Sequence, residues 1–73
     1  MQAFDEQLVH EFVRGLVQSA VARGLDPTLR LEQFRALQQA AVAMSRDPAV
    51  GRTSEQLIRA IDCALHDLAA VKS

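Results

Sequence analysis

Cysteine occurs once in this chain, at Cys63, and lysine once, at Lys72. A single cysteine excludes a disulfide within the chain. The near-absence of lysine beside abundant alanine, leucine and arginine suggests a GC-rich bacterial genome, a compositional hint with no physical consequence. Charge of either sign is not in excess: eight basic residues against nine acidic ones leave a net charge of −1. That balance supplies no electrostatic reason to favour nucleic acid or an anionic membrane. No apolar run approaches the roughly 18 residues of a transmembrane helix. Asp5 and Glu6 fall where a signal peptide tolerates acid poorly, so the expected location is cytoplasmic. Strand-like alternation, internal repeats and low-complexity segments are absent as well.

What is present is helical periodicity. Phe4, Leu8, Phe12, Leu16 and Ala20 recur every four residues, and beside them run Val9, Val13, Val17 and Val21. Side chains three and four apart share a helix face, so the two rows predict one amphipathic helix over about residues 3–23. Its apolar arc exceeds the usual core-facing stripe, and a helix with such an arc needs more than one neighbour. Gly24 suits a left-handed helix stop, and Asp26-Pro27 restarts the chain with a capping carboxylate and a proline at the first helical position. So short a connection sends a second helix, about residues 27–45, back antiparallel. Its main seam reads as Phe34, Leu37, Ala41 and Met44, with a line of Ala36, Ala40 and Ala43, while Leu31 and Val42 fall on a flank beside Arg35. Asp47-Pro48 predicts a single turn ended by Gly51. Thr53 then caps a third helix, about residues 54–71, with Gln56 in the capping-box position. Leu57, Ile58, Ile61, Ala64, Leu65, Leu68 and Val71 form its core stripe, opposite Glu55, Arg59, Asp62, Cys63, His66 and Asp67.

The fold class is therefore all-α: one domain over residues 1–73, a helical hairpin plus a third helix, with antiparallel neighbours. A chain of 73 residues buries only about 60% of its unfolded surface. Small folds gain stability from disulfides, metals or oligomerisation, and here the last is the expected supplement, as a homodimer.

No constellation reaches the standard of a catalytic or metal site. Cys63 and His66 share a helix face with Arg59 one turn before, and a nearby cation activates a thiol. One outward face supplies neither an orienting third group nor an oxyanion pocket, and a metal would need ligands from a second protomer. His10, at the border of the apolar arc of helix one, reads as an interface or surface residue rather than a titrating switch. Val50-Gly51-Arg52-Thr53-Ser54 has one glycine and no Gly-Lys-Ser/Thr signature, so it reads as a capped loop rather than a phosphate cradle. No enzymatic activity, cofactor or metal is expected.

The expected function is protein binding, as an adaptor, anti-activator, chaperone or inhibitor, through surplus apolar surface on helices one and two. The residues assigned to it are Val9, Val13, Gly15, Val17, Ser19, Val21, Leu31 and Val42. Gly15, Ser19 and Ala22 form a strip of small side chains, which predicts the close approach of another backbone. The alternative is a DNA-binding regulator that reads with Thr53, Ser54, Gln56 and Arg59 on helix three. Against it stand the dispersed arginines and a second connection longer than a helix-turn-helix turn.

Overall fold

Each helix begins on an aspartate. The computed structural model describes residues 5–72, and the helices are α1 (Glu6–Ala22), α2 (Pro27–Met44) and α3 (Pro48–Lys72). Phe4, which heads the first apolar row, and the predicted helix start at residue 3 lie outside the described residues. The carboxylates of Asp5, Asp26 and Asp47 accept hydrogen bonds from the N–H groups of Gln7, Thr28 and Ala49 at 2.8, 2.9 and 2.9 Å. Each thereby satisfies a backbone donor that the helix itself leaves unpaired. α1 ends as its glycine predicts. Gly24 adopts φ 73°, its N–H donates to the Val21 carbonyl, and Leu25 N–H donates to that of Ala20 at 2.8 Å. These two bonds are the Schellman closure, which needs the left-handed residue.

The third helix starts six residues before its predicted beginning at residue 54. Asp47-Pro48 does not open a separate turn; it caps α3 itself, just as Asp26-Pro27 caps α2. Gly51 continues the helix, its N–H donating to the Asp47 carbonyl at 3.1 Å. Thr53 is not a cap: its hydroxyl donates to the Ala49 carbonyl one turn back, at 3.0 Å. The predicted capping box therefore does not form. A mid-helix glycine costs about 1 kcal/mol relative to alanine, too little to stop a helix whose next residues, Ser54 and Gln56, are buried.

The core lies where the three helices meet: Val9, Val13, Leu31, Ala60 and Ile61, flanked by Leu16, Val17, Phe34, Leu57, Ala64, Leu65 and Leu68. Ala20 is buried further along α1. α1 thus turns Val9, Val13 and Val17 inward, joined further along by Leu16 and Ala20 of the other row, and leaves Leu8, Phe12 and Val21 exposed. α3 shows the polar face the sequence predicts, with Glu55, Arg59, Asp62, Cys63, His66 and Asp67 all exposed. Its stripe is as predicted from Leu57 to Leu68, but Val71 projects into solvent and Ala60 is buried instead.

α2 differs most from expectation. Leu31, assigned to a flank, is completely buried, whereas Leu37 and Met44 of the expected seam are 65% and 83% exposed. The inward side of α2 runs through Leu31, Phe34, Arg35, Gln38, Ala41 and Val42, so Phe34 and Ala41 of the predicted seam lie on its edge while its centre is turned by about a quarter-turn. In this rotation Arg35 reaches α3: its Nε donates to Asp62 Oδ1 at 2.7 Å. Both partners are partly exposed, so the pair contributes only about 0.2–1 kcal/mol, a small addition to the burial of Leu31.

Candidate interaction surface

The short connections send α2 back along α1 and α3 back along α2. The ring centroids of Phe12 on α1 and Phe34 on α2 lie 5.9 Å apart at an interplanar angle of 52°, a favourable tilted contact. Phe34 is half-buried, but Phe12 remains 51% exposed, with Leu8 one turn earlier equally open. Leu8 and Phe12 border an apolar groove of about 290 Å³ completed by Val9, Thr53 and Leu57. On α2, one turn beyond Phe34, Leu37 and Met44 stand in solvent.

The outer face of α2 carries no charge over its C-terminal half. From Ala36 to Ser45 the chain has no ionisable side chain, and Ala36, Leu37, Ala40, Ala43 and Met44 are all exposed. A soluble helix normally shows charged or strongly polar residues opposite its buried stripe. α1 and α2 therefore each present exposed apolar side chains of the kind that marks interaction sites, and Phe12 and Phe34 touch between them.

Most of the residues assigned to binding from sequence lie elsewhere than this surface. Val9, Val13 and Leu31 are buried in the chain's own core, and Val17 and Val42 are half-buried. Gly15 and Ser19 are exposed in line with Leu8 and Phe12, one and two turns beyond Phe12 on the same face of α1, and Val21 is exposed on a different face. The difference has one cause, namely that both apolar rows of α1 count as surplus in the sequence, whereas the core takes part of each. Leu8, Phe12, Leu37 and Met44, exposed in the structure, were not among the residues assigned. The charge-free run Ala36–Ser45, in a chain that is 23% charged, was the signal that pointed to part of them.

The strip of Gly15, Ser19 and Ala22 approaches no backbone of this chain. A Cβ built on Gly15 meets nothing within 4 Å, and the same holds for Gly51. Nothing in the chain itself therefore opposes a methyl group at residue 15. Gly15→Ala and Gly51→Ala should each raise stability by up to about 1 kcal/mol through helix propensity. Urea melts of the single variants measure this directly; an earlier midpoint in either would show that a neighbour lies over the site.

The other constellations are placed as follows. Cys63 is exposed and edges a shallow groove of about 220 Å³ shared with His10, Arg14 and Asp67. Among the described residues no group of three or more His, Cys, Asp or Glu is placed to hold a metal ion. No described helix is long and apolar enough to cross a membrane. Of the four candidate base-reading residues, Ser54 and Gln56 are buried, Thr53 is bonded to its own helix, and Arg59 alone is freely exposed. The connection between α2 and α3 is only Ser45–Asp47, so its length no longer argues against a helix-turn-helix; the burial of the reading side chains does.

Three helices joined by short connections around an aliphatic core, with an uncharged apolar face left open, define a small all-α bundle. No family model, curated protein or solved structure matches the chain.

Proposed function

We propose that this protein is a non-enzymatic protein-binding module, an adaptor, anti-activator, chaperone or inhibitor. Its seat is the apolar surface shared by α1 and α2, occupied in a homodimer or by another protein. One observation carries the reading: Leu8, Phe12, Leu37 and Met44 are all more than half exposed on two helices joined by the Phe12–Phe34 contact. Burying a side chain of this size yields about 1.5–3 kcal/mol. A partner that covers several of them gains a hydrophobic centre, the usual source of binding energy in an interface.

The test is capture from an extract of the source cell on the immobilised full chain, next to a Phe12→Ser/Leu37→Ser variant. The expected result is a captured protein, or self-association, that survives 0.5 M salt and disappears in the variant while helicity is unchanged. Binding to random duplex DNA that falls steeply with salt, and is indifferent to these two substitutions, would overturn the reading.

A further inference from the structure

We infer that the occupant of this surface is a second copy of the same chain, with the two α2 helices packed antiparallel about Ala40. The inference rests on the binding surface proposed above and names its partner. Two observations support it.

The first is spacing. Gln33, Leu37, Ala40 and Met44 follow one another at steps of four, three and four, the pattern by which one helix presents a seam to another. This seam points outward, away from the buried Leu31 side of the same helix. Small side chains at Ala36, Ala40 and Ala43 let a second helix come close.

The second is charge. A partner of different sequence would have to be equally free of charge over this stretch, since Ala36–Ser45 offers no ion to pair with and unpaired charges are costly to desolvate. A second copy meets that requirement automatically, because a two-fold interface places the same patch on both sides. The antiparallel arrangement puts Leu37 beside Met44 of the second copy, and Ala36 beside Ala43 of the second copy. It also sets the Phe34 edges, with Leu8 and Phe12 behind them, on the same side of the interface, where both copies extend the contact. A parallel pair would put those edges on opposite sides.

Sedimentation equilibrium of the full chain at about 100 μM tests the inference. Wild type should give twice the 8.0 kDa chain mass. Ala40→Glu should give the monomer mass with an unchanged far-ultraviolet spectrum, because glutamate is a good helix former and residue 40 is exposed in the single chain. Gln18→Glu, on the far side of α1, should stay dimeric. In a Cys63→Ser background, Leu37→Cys mixed with Met44→Cys should form a mixed disulfide dimer faster than either variant alone. Preferential Leu37→Cys self-pairing would overturn the antiparallel arrangement. A wild-type chain that remains monomeric would overturn the second copy as occupant. Capture of a different protein, lost in Ala40→Glu, would then leave the binding surface standing without the homodimer; a monomer that captures nothing would end both.

Discussion

Leu31→Ala should unfold most of the protein at room temperature. Leu31 is fully buried, at the centre of the cluster formed with Val9, Val13, Ala60 and Ile61. Truncating a buried leucine removes its transfer free energy and leaves a cavity, together about 2–5 kcal/mol. A single core in a chain of this length rarely supplies more than about 3–5 kcal/mol, so one such loss is comparable with the whole. Leu37→Ala, on the same helix and chemically the same change, should cost the isolated chain less than about 1 kcal/mol, since Leu37 is 65% exposed. Thermal melts followed by circular dichroism compare the two directly, at low concentration so that association does not contribute. The reverse order, with Leu37→Ala the disruptive change, would mean that α2 is seated on the Phe34–Met44 seam after all.

Ala60→Leu should lower stability by about 1–3 kcal/mol, the usual cost of forcing extra methylenes into a filled site. Ala60 is 1% exposed where α3 lies against α1, and it shares the wall of one groove with Val13 and Ala64. A larger side chain there must move α3 away from α1, because the aliphatic neighbours already occupy their positions. The informative comparison is Ala43→Leu, on the exposed face of α2, which should be nearly neutral in the dilute chain. Urea titration reads both, and the Ala60→Leu midpoint should fall with little change in slope, since the surface exposed on unfolding is nearly the same. A neutral Ala60→Leu would show slack at the α1–α3 contact that the close burial of Ala60 does not suggest.

How much was legible without coordinates differs from helix to helix. α1 and its stop were readable to within a few residues, because Gly24, Asp26 and Pro27 act through local backbone conformation that no distant contact has to support. The polar face of α3 was equally readable, since its charges cluster on one side and leave a single apolar stripe. The start of α3 was misplaced because Asp47-Pro48 and Thr53 are both good caps and Gly51 stands between them. Choosing between them depends on whether the intervening turn gains enough packing to continue, and the burial of Ser54 and Gln56 is a tertiary fact. Which apolar faces of α1 and α2 stay exposed was not legible, for a related reason. α1 has two apolar rows and α2 has apolar residues on nearly every side, so periodicity alone could not say which residues would be buried.

The sequence by itself determined the all-α class, the three helices and the two short reversals between them, because helix propensity, capping and turn chemistry act over a few residues. Tertiary structure alone decided that Val9 and Val13 of α1 and Leu31 of α2 form the core, and that Leu8, Phe12, Leu37 and Met44 face solvent. That choice turns on a rotation of about a quarter-turn about the axis of α2. Such a rotation costs little when either face is apolar, and it is settled by the simultaneous fit of three helices, to which the Arg35–Asp62 contact across two of them is a small addition. No single segment contains that information, because a helix with two apolar faces acquires an inside only when its neighbours choose one.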